Sequence, residues 1–277
     1  MDLTSVRPEL SNQILCPLCL LAFRREAIQD KSIGGLSIEH IVPSALGGRL
    51  QTLTCRRCNN KHGSPLDAPL IRMVQVQDWS EADGSKLKGK ITVGEVELPM
   101  KISLGKEGNR NTIEILGGKQ ATIDTFREAV HAFETGDEVN LSFSLGYAEL
   151  PARRALVRIA HLGMFSIFGY RFALSEAGAF SRRALTAGDL GMLRSLTPQI
   201  SNVEVTNVEN PLVITPIESV AYLILFRTDT LRRRYHGVIL PSTELAEAKI
   251  PTTLLEVAAK LDGRQCQIPV PKSGMGS

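Results

Sequence analysis

The sequence predicts an α+β protein: a small metal-stapled N-terminal module followed by a larger mixed domain. Three observations carry this. Four of the five cysteines, Cys16, Cys19, Cys55 and Cys58, fall in the first 58 residues as two CxxC pairs. The charge divides at the same place: residues 1–66 hold eight Lys/Arg against five Asp/Glu, while residues 67–277 hold 24 of each. Beyond residue 70, alternating apolar and polar runs are interspersed with segments of helical spacing, with no internal repeat, as in an α+β domain.

Taken in order, "CPLC" and a polar connection lead into a strand over residues 36–42, then a loop at 43–48 marked by Pro43, Gly47 and Gly48. A second strand follows at 50–54. "CRRCNNKHGSP" reads as a short helix, stopped by Gly63 with Pro65 beyond it. The order is strand, loop, strand, helix, with a cysteine knuckle at each end.

The remainder divides as 71–277. "DWSEADGSKLKGK" reads as a polar loop or linker, and "KITVGEVELPMKISL", "NTIEILGG" and "EVNLSFSL" as half-buried strands. "ATIDTFREAVHAFETG" has helical spacing, a cap at Thr122 or Asp124 and a stop at Gly136. Pro151 opens a long helix, "PARRALVRIAHLGMFSIFGYRF", with Ala155, Leu156, Ile159, Leu162 and Phe165 on one face. Strands are expected at "NVEVTNV", "LVITPIE", "VAYLILFRT" and "YHGVILP", then a helix at 253–261.

Bulk properties narrow the function. A 43% hydrophobic content in 277 residues supports a true core. The longest apolar region, 155–174, is interrupted by Arg158, His161 and Arg171, so it falls short of a membrane span. The first residues lack a basic-then-apolar leader, and a cytoplasmic location is the expectation. The paired glycines at 34, 47 and 117 lack a phosphate-loop lysine, which leaves nucleotide hydrolysis unsupported. From His40 to Leu66 there is no acid, against Arg49, Arg56, Arg57 and Lys61. Such a stretch suits phosphate or, equally, makes a solvated basic face.

Two CxxC pairs in a chain without secretion signals argue for metal rather than disulfides. Four thiolates fill the tetrahedral shell of Zn²⁺, and a filled shell leaves no open position, so the zinc is expected to be structural. Chemistry must then lie between and after the cysteines, where Glu39, His40, Asn59, Asn60 and His62 stand. Carboxylate and amide oxygens are ligands for Mg²⁺, and a neutral imidazole beside them is able to take a proton from water.

"EHIVPSALGG" followed by "LTCRRCNNKHGS" resembles the zinc-containing HNH endonucleases of the ββα-metal superfamily, over residues 15–66. The resemblance implies a metal-dependent DNA endonuclease module at 1–70. In it His40 is the general base, Glu39 and Asn59 hold a catalytic Mg²⁺ or Mn²⁺, and Arg49, Arg56, Arg57 and Lys61 hold the DNA backbone. His62 is a further metal candidate one helical turn from Asn59, against the alternative of an exposed polar residue. The family's middle Asn falls near Leu50; Gln51 or Thr52 is the available substitute. By analogy the reading extends to restriction or phage defence, with residues 71–277 recognising substrate, a protein partner or a small-molecule signal. Two other readings stand beside it: a zinc-dependent nucleic-acid-binding protein that does not cut, and an interaction protein whose zinc pins its N-terminus. "LRRRYHG" at 231–237 suits either a nucleic-acid backbone or a solvated strand face, and "PARRALVR" reads as the polar side of its helix.

Overall fold

The computed structural model describes residues 3–81, 86–93, 96–107, 110–116, 139–143, 146–198, 212–230 and 233–261, with positions 124, 127 and 131. Mixed helices and antiparallel strands make an α+β protein. It forms two compact units: Met1–Leu70 together with Glu149–Ser277, and Ile71–Ala148. A division at residue 70 into two consecutive pieces therefore differs from the packing. Residues 149–277 complete the core of the N-terminal residues.

In the first unit, strands β1 (Gln13–Leu15) and β2 (Ala22–Arg24) pair antiparallel around the first CxxC. Strands β3 (Leu36–His40) and β4 (Gln51–Cys55) form the next hairpin, with Leu36 opposite Cys55 and His40 opposite Gln51. Its connection bends at Gly47, whose φ of 83° suits glycine, and at Gly48, where a Cβ would lie 1.8 Å from the Val42 carbonyl. Helix α1 (Arg56–His62) follows directly, and α2 (Ser64–Glu81) extends through the segment expected to begin a polar linker. The unit boundary falls inside α2.

Helix α3 (Glu149–Phe168) is the spine of the unit. It is buried continuously from Ala155 to Met164 because both its faces are covered. The expected single long helix breaks at Gly169, where φ is 61°, and resumes as the short α4 (Tyr170–Ala173). Helices α5 (Glu176–Thr186) and α6 (Leu190–Leu196) pack on α3, with Ser175 and Asp189 as their N-caps. The sheet β9 (Leu212–Ile217), β10 (Ala221–Asp229) and β11 (Arg233–Pro241) is antiparallel with β10 central. β10 is largely buried because α3 packs on β10 and β11, while α7 (Ile250–Leu261) also packs on β11.

The second unit contains β5 (Lys86–Val93), β6 (Val96–Glu107), β7 (Arg110–Leu116) and β8 (Val139–Phe143), paired antiparallel in the order β7-β6-β5-β8. The alternation of "KITVGEVELPMKISL" resolves into a hairpin closing at Val93 opposite Val96. Of the expected helix at 121–136, Asp124, Arg127 and His131 are helical and the rest lies outside the described residues, as does the expected strand at 202–208. Among the described residues no helix is long and apolar enough to cross a membrane.

Candidate metal centre and active site

The two CxxC pairs converge. The four Sγ atoms of Cys16, Cys19, Cys55 and Cys58 lie within 4.8 Å of one another, with Cys19 and Cys55 at 3.7 Å. Zinc–sulfur bonds of about 2.3 Å give a tetrahedron with edges of about 3.8 Å, so the cluster has the size zinc requires. The backbone prepares the sulfurs for charge: Cys55 N–H donates to Cys16 Sγ at 3.3 Å and Cys58 N–H donates to Cys55 Sγ at 3.4 Å, the latter also capping α1.

The crowding makes the same point electrostatically. Hydrogen bonds, first that of Cys58, lower the Cys16 thiol to about 5. Burial pushes Cys19 up to about 12, and the bond to Cys16 together with burial raises Cys58 as well. One thiolate opposes the next, and four together require a cation.

The first knuckle is fastened from α3 and α4. Buried His161 donates Nε2–H to the Pro17 carbonyl at 2.9 Å and accepts from Ser181 Oγ at Nδ1, 2.7 Å away. Tyr170 Oη donates to the Leu15 carbonyl and accepts Leu15 N–H, both at 3.1 Å. Burial lowers the His161 pKa to about 4, so the ring is neutral at pH 7.

The opposite end of the β3–β4 hairpin carries the acid–histidine pair. Strand alternation sends Glu39 and His40 to opposite faces. His40 is half-buried and its Nε2 lies 2.9 Å from Gln51 Nε2, its register partner across the hairpin. An amide nitrogen only donates, so in this arrangement Nε2 accepts; with the amide turned over, Gln51 Oε1 accepts from Nε2–H and Nδ1 is left as the basic nitrogen. Leu50, where the resemblance places the middle Asn, is exposed. Gln51, the next residue, is the one whose side chain reaches the ring.

Glu39 turns inward. Its Oε1 accepts a 2.6 Å hydrogen bond from Arg158 Nη1 of α3, and the two side chains are only 7% and 1% exposed. The same guanidinium donates from Nη1 to the His62 carbonyl at 2.9 Å and from Nη2 to Asp67 Oδ1 on α2. Arg158 thus ties the end of β3, the end of α1 and the start of α2 to α3. Burial raises the carboxyl pKa of both Glu39 and Asp67, opposed by the Arg158 charge. Asp67 was not among the sequence candidates, and Arg158 entered only as the last residue of "PARRALVR", read as the polar side of its helix, whereas it is fully buried. The available signal was a lone arginine inside an apolar helical run, between Val157 and Ile159.

Asn59 faces β3 from α1, its Nδ2 donating to Ser37 Oγ at 3.0 Å, which leaves its side-chain carbonyl for another partner. Ser37 and Glu39 share a strand face, so Asn59 and Glu39 address the same side of the hairpin. Oxygen donors of this kind fit a hard divalent ion that keeps several waters. Beyond the four cysteines, no group of three His, Cys, Asp or Glu is close enough to hold an ion among the described residues. His62 is not the exposed residue its position suggested: its ring is buried, and burial lowers its pKa to about 4. Arg49, Arg57 and Lys61 are exposed, and Arg56 is half-exposed with Nε donating to the Asp30 carbonyl at 3.0 Å. In the "LRRRYHG" stretch, Arg233 to His236 lie on β11, while Leu231 and Arg232 are outside the described residues.

Fold and site define a strand–strand–helix module with a four-cysteine cluster of the size zinc requires at one end and an acid–histidine pair at the other. Residues 25–75 match the family model of the HNH endonucleases, a segment that takes in β3, β4, α1, Arg56 to Lys61 and the second cysteine pair. Cys16, Cys19 and Arg158 lie outside it. No curated protein and no solved structure matches the chain.

Proposed function

We propose that this chain is a metal-dependent endonuclease that hydrolyses phosphodiester bonds in DNA. The observation that carries the reading is His40 held by Gln51 at the open end of a hairpin whose other end is fixed by four cysteines, within a segment matching HNH endonucleases. In this reading His40 Nδ1 takes a proton from the attacking water, with Gln51 Oε1 accepting Nε2–H to fix the ring. Asn59 through its carbonyl and Glu39 through its second oxygen hold one Mg²⁺ or Mn²⁺, which when bound supplies charge stabilisation to the phosphate. Arg49, Arg57 and Lys61, with Arg56, hold neighbouring phosphates. The HNH resemblance leads to 3′-hydroxyl and 5′-phosphate ends. Recognition of substrate, a partner or a signal is assigned to residues beyond 70, and a role in restriction or phage defence follows by analogy.

A second reading is favoured by one observation: the Glu39 carboxylate is buried against Arg158, which suits a structural residue of a module that binds DNA without cutting it. Nicking of supercoiled plasmid in Mg²⁺ or Mn²⁺ by wild type and His40→Ala separates the two. Loss of nicking with DNA binding retained supports the nuclease; a wild type that binds but does not nick sinks it.

A further inference from the structure

The buried arginine lies outside the matched segment, yet its hydrogen bonds end on Glu39 of the candidate site and on the helices next to it. We propose that Arg158 is a positioning residue for strand cleavage: α3 supplies a guanidinium that sets Glu39, beside His40, against the helix bearing Asn59. The proposal rests on the nuclease reading above.

The geometry supports it in three ways. Arg158 is fully buried, so its bonds are not exchanged for water. Its two nitrogens divide their work, Nη1 holding Glu39 Oε1 and the His62 carbonyl while Nη2 holds Asp67. These partners belong to the three elements that bracket the site: β3 ends at His40, and α1 runs from Arg56 through Asn59 to His62 before α2 begins at Ser64. A shift of Arg158 moves strand and helix relative to each other. Each carboxylate also gives Arg158 only one oxygen, so Glu39 keeps Oε2 for an ion. The sum of two carboxylates and one guanidinium is a single negative charge, enough to favour a divalent cation without leaving two acids buried side by side.

A role confined to stability predicts that a folded variant works normally; a positioning role does not. The test uses the full-length, zinc-loaded chain as wild type, Arg158→Lys, Asp67→Asn and Leu162→Ala. Leu162 is fully buried on the same helix and serves as the destabilised control. Plasmid nicking is measured as kcat and KM for DNA against Mn²⁺ concentration, Mn²⁺ binding without DNA by electron paramagnetic resonance, and folding by thermal melting. Arg158→Lys keeps the charge but loses the fork; it is expected to lower kcat about 10²-fold and weaken Mn²⁺ binding about 10–100-fold, with KM for DNA unchanged. Asp67→Asn loosens the fork from its more open side and is expected to shift Mn²⁺ binding in the same direction, which keeps the test decisive if Arg158→Lys fails to fold. Leu162→Ala is expected to melt lower with unchanged kcat and Mn²⁺ binding. Wild-type Mn²⁺ dependence in folded Arg158→Lys or in Asp67→Asn, or the same shift in Leu162→Ala, overturns the proposal while leaving the nuclease reading intact. A wild type that does not nick overturns both.

Discussion

The two ends of the β3–β4 hairpin are built for opposite purposes. At one end Leu36 pairs with Cys55, both buried, and four sulfurs crowd within 4.8 Å of one another, two of them accepting backbone N–H groups. At the other, His40 pairs with Gln51 beside exposed Leu50, and the connecting chain turns through two glycines. The lesson is a division of labour over a few residues of strand. A small module whose covalently dictated ligands hold one end can leave a titratable side chain open to substrate at the other without losing its shape.

The contrast breaks most completely if the metal end is removed. Chelation, or Cys55→Ser, is expected to unfold the hairpin and both knuckles, since structural zinc supplies about 10–16 kcal/mol in small zinc modules. Circular dichroism together with a zinc assay checks this; one zinc per chain in the native protein is the expected stoichiometry, and a fold that survives chelation with no change in melting refutes the assignment.

Next in size is Arg158→Met. It leaves Glu39 and Asp67 without their buried counter-charge, and the expected loss is about 3–5 kcal/mol, read as a fall in the denaturation midpoint. Adding Glu39→Gln in the same chain removes the uncompensated charge and is expected to recover part of that loss.

A smaller and pH-dependent effect belongs to His161. Its folded pKa of about 4 lies below the ordinary 6.5, so the unfolded chain binds the proton first. The stability it confers is whole above pH 6.5, is lost as pH falls below that value, and stops changing near pH 4. His161→Gln is expected to flatten this part of the stability curve, measured as the difference between the two proteins' melting profiles.

The open end gives the smallest structural effects. His40→Ala and Gln51→Leu are each expected to change stability by less than about 0.5 kcal/mol. Nicking falls about 10²–10⁴-fold for His40→Ala and by a lesser factor for Gln51→Leu. A large melting shift in either would erase the distinction between the two ends.

What the sequence discloses follows the range of the interactions. The cysteines, β3, β4 and α1 are local: CxxC spacing, alternation and a glycine stop suffice to place them. The Gln51 contact was also within reach, because register alone brings it opposite His40. Arg158 was not, since its bond to Glu39 spans 119 residues and a charged position on an amphipathic helix ordinarily faces water. The same long-range packing explains why residues 149–277 close with the N-terminal residues rather than with 71–148, and why His62 is buried at a helix end that reads as exposed. The turn at Gly169 and the helix through Glu81 were missed for a nearer reason: apolar spacing continues across the first, and the second carries little apolar pattern of its own.

The span between Glu39 and Arg158 also sets an order of events in time. At translation rates of 5–20 residues per second, the strand end emerges roughly 6–24 s before the arginine that neutralises it. During that interval the cysteine pairs are complete and zinc is able to bind, while the acid beside His40 still lacks its buried partner. A newly made chain therefore has all four cysteines to hand before α3 is there to complete the site.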